Sequence, residues 1–150
     1  MPSSESDVVD SPVGWVAEHI REYVESGGTK GHRWRGIGTL LLTTTGRKSG
    51  QLRRTALIYG TDDERYVVVA SYGGGPKQPL WYLNLLAEPR VQVQVGPETF
   101  DATARPATPE ERSRLWDKMV AIFPEYARMA PRAAKAGREI PIVIIERLTP

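Results

Sequence analysis

The chain has 150 residues, 20 basic against 18 acidic side chains, 40% hydrophobic and 25% charged content, and no cysteine. That is the size and composition of one globular domain able to bury a core of its own. Without thiols there is no cysteine catalysis, thiolate metal centre or disulfide; two histidines support an imidazole metal site poorly, and no apolar run is long enough to span a bilayer.

Residues 1–10 are polar and acidic and read as a flexible tail. Over 11–28, Ser11 before Pro12 looks like a helix start. Val13, Val16, Ile20, Tyr23 and Val24 then recur at helical spacing until Gly27-Gly28. This amphipathic helix suits packing on its own domain, and Trp15 with Arg21 also suits peripheral membrane contact. Residues 29–150 form the main domain. Thr39–Thr45 and Leu52–Tyr59 read as strands joined by the turn Gly46–Gly50, and a polar turn over Thr61–Glu64 leads to a strand over Arg65–Ser71. A glycine- and proline-rich loop, Gly73–Pro79, precedes a short helix, Leu80–Ala87. Val91, Val93 and Val95 alternate with glutamines, and Phe100–Ala104 returns as the partner strand. Thr108-Pro109-Glu110-Glu111 is a capping box for a helix carrying Leu115, Met119 and Ile122. Pro124 breaks it, a second piece carries Tyr126 and Met129, and Pro141–Leu148 closes as a strand. About six strands with short hairpins and no βαβ unit predict an α+β, mainly β fold: a small antiparallel barrel with helices outside.

Charge is segregated. From Ser26 to Thr61 there is no acid, while Lys30, Arg33, Arg35, Arg47, Lys48, Arg53 and Arg54 lie there. The turn Gly46-Arg47-Lys48-Ser49-Gly50 combines charge, a hydroxyl donor and glycines that bring backbone N–H groups close to an anion; alternatively it is a solvated hairpin end. It is no Walker loop, and a small-anion site explains its glycines better than nucleic-acid binding does. Ala70-Ser71 followed by Gly73-Gly74-Gly75 suits a backbone lying against a flat ring. Asn84, on an apolar helix with Trp81 and Leu85, must find polar partners in local backbone or in a ligand. Phe123, Tyr126 and Met129 are a core stripe or a substrate wall, with Tyr126 able to donate to a substrate oxygen. No triad, carboxylate pair or metal cluster emerges, so an enzyme built this way needs a cofactor.

The runs LLLTTTGRKSGQLRRTALIY, YVVVAS-x-GG and PLWYLNLLAEPRVQVQVG, within about residues 39–148, resemble the deazaflavin (F420)-dependent nitroreductase family of actinobacteria. These are split β-barrel flavin and deazaflavin oxidoreductases. The resemblance implies that Arg47, Lys48, Ser49, Gly50 and Arg53 grip the phosphate and carboxylates of the F420 tail. It places Val69, Ala70 and Ser71 along the deazaflavin ring, with Trp81 and Asn84 helping to enclose it. Tyr72 stands where many relatives carry lysine after the serine, and Lys77 is the candidate to replace that charge. Tyr126 falls on the substrate side, flanked by Phe123 and Met129, and with Ser71 it would orient the acceptor and stabilise or protonate its oxyanion. The implied activity is hydride transfer from reduced F420 to menaquinone-like quinones, with nitroaromatics and activated enones as incidental acceptors. An FMN-binding oxidoreductase and a non-catalytic deazaflavin carrier are the alternatives. The expected setting is a cytoplasmic monomer or homodimer, with the first helix either packed on its own domain or offering peripheral membrane contact.

Overall fold

The computed structural model describes residues 8–11 and 14–148. Among them a nine-stranded sheet curls into a barrel between two layers of helix. The strands are β1 (Val9–Asp10), β2 (Arg33–Trp34), β3 (Ile37–Thr45), β4 (Leu52–Ile58), β5 (Gly60–Asp62), β6 (Arg65–Val69), β7 (Arg90–Val95), β8 (Glu98–Pro106) and β9 (Ile142–Arg147). Their order is β1-β4-β3-β7-β8-β9-β6-β5, with β2 paired to β3. β4 and β5 stand towards opposite ends of that order yet are separated in sequence only by Tyr59. One bent strand therefore closes the sheet, and six long segments make the barrel as expected. Between β4 and β6 there is no ladder, which leaves the barrel split on that side.

The run-on apolar character of the strands follows from burial on both faces. Leu40 and Leu42 of β3, Val68 of β6 and Val143 and Ile145 of β9 fill the barrel with Phe100 and Leu85. The alternate residues point outward. Leu41 meets helix α1 (Gly14–Glu25), while Val67, Val69, Ile142 and Ile144 meet α3 (Pro109–Ile122) and α4 (Tyr126–Lys135). Helix α2 (Leu80–Ala87) sends Leu85 into the barrel core, as its pattern suggested, together with Tyr82, while Leu86 is exposed.

Helix α1 is held by Val16, Ile20 and Tyr23, all buried, each contributing roughly 1.5–3 kcal/mol. The Tyr23 hydroxyl donates to the Thr39 carbonyl at 3.0 Å and accepts from the Gly96 N–H at 2.7 Å. Burial pushes its pKa up to about 12, so it stays a donor. The capping box at α3 forms as read, with Thr108 and Glu111 satisfying each other's backbone N–H.

Two expectations change. The flexible tail assigned to 1–10 meets a strand at Val9–Asp10, parallel to β4, because Asp10 pairs with Arg54 at 2.6 Å. Residues 1–7, and Pro12 and Val13 of the predicted helix start, lie outside the described residues. The turn predicted at Thr61–Glu64 shrinks to Asp63-Glu64, since Asp62 is a buried strand residue bound by Arg65 and Arg114.

Candidate cofactor and substrate site

The split between β4 and β6 opens into a cavity of about 340 Å³. β4 contributes Ala56, Leu57 and Ile58, the end of β6 gives Val69 and Ser71, and the α3–α4 corner gives Phe123, Tyr126 and Met129. Five residues picked from sequence thus meet in one place: Val69, Ser71, Phe123, Tyr126 and Met129. The corner exists because Pro124 ends α3 and turns the chain, so Phe123 and Tyr126 pack edge to face at 5.0 Å. Burial raises the Tyr126 pKa. Among the described residues its hydroxyl has no hydrogen-bond partner, yet no polar side-chain atom there is sealed off unpaired, so this hydroxyl opens to the cavity.

The remaining wall was not picked from sequence. Trp15 and His19 of α1 and Trp34 of β2 close the cavity on the side of the first helix. Trp15 stacks on Trp34 at 6.3 Å, and Trp34 meets Phe123 at 5.9 Å, joining the helical layers across the split. The i, i+4 spacing of Trp15 and His19, off the Val16–Ile20–Tyr23 face, is the signal that could have found them.

Ala70 differs from expectation. Strand alternation turns its side chain into the barrel core, leaving Val69 and Ser71 on the cavity side. The segment after β6 is fastened by Arg138, a buried guanidinium that the sequence did not single out. It donates to the carbonyls of Ala70 (3.1 Å), Ser71 (2.6 Å) and Gly75 (2.9 Å) and to Gln78 Oε1 (2.6 Å). Tyr72 follows in a left-handed conformation, φ 47°, and is exposed.

The cationic turn lies at the other end of the β3–β4 hairpin. Arg47, Lys48, Ser49, Gly50 and Arg53 are all exposed, and no ion pair among the described residues uses these three cations. Arg54, by contrast, is spent on Asp10. Gly46 N–H donates to the Gln51 carbonyl and Gly50 N–H to the Gly46 carbonyl, both at 2.8 Å, which closes the loop. Asn84 fixes its first cation: Oδ1 accepts from the Arg47 N–H at 3.1 Å, and Nδ2 donates to Thr44 Oγ1 at 3.2 Å. Asn84 is buried beneath the turn, and Trp81 packs half-buried against the barrel core. Neither lines the cavity: Asn84 supports the turn and Trp81 packs on the core. Lys77 is exposed on the loop before α2. From the turn to Ala56 is about six residues of extended chain, roughly 20 Å.

A second hollow of about 370 Å³, lined by Leu85, Leu86, Arg105 and Glu146 among others, gathers none of these residues. Among the described residues no cluster could hold a metal ion, and no helix is long and apolar enough to cross a membrane.

A family model for the F420H(2)-dependent quinone reductases matches residues 15–147. The chain belongs to this family. An F420H(2)-dependent quinone reductase of Mycobacterium tuberculosis is 39% identical over 132 residues, covering 86% of this chain and 87% of its own. Among solved structures, an F420-H2 dependent reductase (FDR-A) is 41% identical with a TM-score of 0.65, over 72% of this chain and 93% of its own. A chain solved as a domain-swapped dimer is 39% identical with a TM-score of 0.68, over 91% of this chain and all of its own (100%). The F420H(2)-dependent quinone reductase family thus spans the barrel, the cavity and the cationic turn together.

Proposed function

We propose that this chain binds reduced F420 along the β3–β4 hairpin and reduces a quinone held in the cavity between α1 and the α3–α4 corner. Family membership makes it an F420H2-dependent oxidoreductase with quinones as acceptors. One observation carries the assignment of residues: an apolar cavity and an unpaired cationic turn lie on one hairpin, about 20 Å apart. A flat ring with a long anionic tail fits that pair, whereas a compact ligand would leave one end idle.

Arg47, Lys48 and Arg53, with Ser49 Oγ and the N–H groups of the turn, hold the tail's phosphate and carboxylates. Lys77, exposed on the loop before α2, adds a further positive charge. Val69 and Ser71 line the ring, on a segment that Arg138 keeps in place. Coenzyme F420, when bound, supplies the hydride. The Tyr126 hydroxyl donates to the acceptor oxygen, where negative charge develops as the hydride arrives, and Ser71 Oγ is the second donor. Phe123, Met129 and Trp34 exclude water around it. Menaquinone-like rings match this aromatic wall best, with nitroaromatics and activated enones as incidental acceptors. In a cytoplasmic protein meeting lipid-borne quinones at a membrane surface, contact falls to exposed Trp15, because the apolar face of α1 is consumed by the core.

Purified protein mixed with reduced F420 and menadione should generate oxidised-deazaflavin absorbance. Lys48→Ala should weaken coenzyme affinity roughly tenfold while leaving the melting temperature unchanged. Failure to turn over menadione and several other quinones would overturn the enzyme reading; unchanged affinity would reduce the turn to a hairpin end.

A further inference from the structure

Resting on that reading, we propose that His19 is the proton donor to the quinol oxygen, acting through Nδ1 while Nε2 is held by Thr39. The tether defines the tautomer. Thr39 Oγ1 lies 2.6 Å from the Gly31 carbonyl and 3.2 Å from the His32 carbonyl. Both are acceptors only, so the single hydroxyl proton goes to one of them. His19 Nε2, 3.2 Å from the same oxygen, must therefore donate to it. Nδ1 has no partner among the described residues and is not sealed in, and the imidazole lines the cavity with Ser71 and Tyr126.

Few other ionisable groups compete. On α1, Glu18 and Glu22 are solvent-exposed, and Tyr23, 6.3 Å away, keeps its proton through burial. The α3–α4 corner presents Tyr126, which burial likewise keeps protonated. β2, β4 and the end of β6 present no ionisable side chain to the cavity.

Hydride arrival gives the quinone two electrons and one hydrogen and leaves a quinol monoanion, while the reduced coenzyme is oxidised. The Nδ1–H bond of the imidazolium then breaks, an O–H bond forms on the quinol, and the electron pair stays on Nδ1. What remains is the neutral Nε2–H imidazole that Thr39 already specifies, so no tautomer change is required before water reprotonates it.

The test is the pH profile of menadione reduction. Wild-type kcat should show a limb that falls as pH rises. His19→Gln should lower kcat by roughly 10²-fold and lose that limb, with the KM for menadione and the coenzyme affinity changed by less than about threefold. Added imidazole should restore His19→Ala. In the protein without coenzyme, nitrogen-resolved NMR should show neutral His19 protonated at Nε2. An active wild type whose pH limb survives in His19→Gln, a neutral Nδ1–H tautomer, or an imidazole-insensitive His19→Ala overturns this inference alone. A wild type inactive with every quinone overturns the parent reading, and this one with it.

Discussion

Asn84 shows how one amide sets the position of a binding turn. Its oxygen fixes the Arg47 N–H and its nitrogen the Thr44 hydroxyl, so the first cation of the turn is placed from beneath. Asn84→Leu would strand the buried Thr44 hydroxyl and release the Arg47 N–H, and should cost about 1–3 kcal/mol. Coenzyme affinity should fall several-fold in parallel, read by titration beside denaturant melts. A residue that only touched the ring would lower affinity with no loss of stability, so the paired measurement separates the two roles. The sequence marked Asn84 as a polar group in need of partners but could not choose between backbone and ligand. That choice depends on β3 and α2, 40 residues apart in the chain, meeting beneath the turn. Ala70 turns its side chain into the core for a simpler reason: strand alternation places only every second residue of a motif on one face. Arg138 left no local signal, because its four acceptors are loop oxygens between Ala70 and Gln78, brought near only by α4 and its exit.

Helix α1 is legible as an element, and its use is not. The spacing of Val16, Ile20 and Tyr23 gave its buried face, but Trp15 and His19 gain meaning only once β2 and the α3–α4 corner face them across the split. The strands read well because β-branched runs ended at glycine turns; β5 was lost because Asp62 looks like a turn residue until Arg114 of α3 reaches it. The seating of α1 depends on its exit. Gly28 has φ +86°, and a Cβ there would lie 1.8 Å from the Gly96 carbonyl oxygen. The same hairpin end supplies the N–H that binds the Tyr23 hydroxyl. Gly28→Ala combines a disfavoured backbone with a backbone clash and should cost at least about 2 kcal/mol in a denaturant melt. Because α1 carries one wall of the cavity, the KM for menadione should rise with it. Gly14→Ala, at a position with open space around it, is the control expected to leave both unchanged.

Across the whole molecule, the barrel and the α3 layer are joined by one ionic network. Asp62 of β5 binds Arg65 of β6 and Arg114 of α3, while Glu111 of α3 binds Arg105 of β8 at 2.7 Å and approaches Arg65 at 3.5 Å. Hydrogen bonds from Arg105 and from the Thr108 backbone lower the Glu111 pKa from 4.5 to about 2, and those from Arg114 and Arg65 hold Asp62 well below the usual carboxylate range. Well above pH 4.5 both carboxylates are ionised, folded or not, so their contribution is constant. As pH falls below that, the unfolded chain takes up protons that the folded one refuses, and stability is lost progressively towards pH 2. The melting temperature should therefore be level from about pH 7 to 5 and fall steeply between about 4.5 and 2. Glu111→Gln should lower it at neutral pH and make the acid slope shallower. Adding Asp62→Asn should have less than the summed effect, because Arg65 approaches both carboxylates. An acid slope unchanged in both variants would mean that other carboxylates govern acid unfolding and that this network serves to place α3, and with it Phe123, over the split of the barrel.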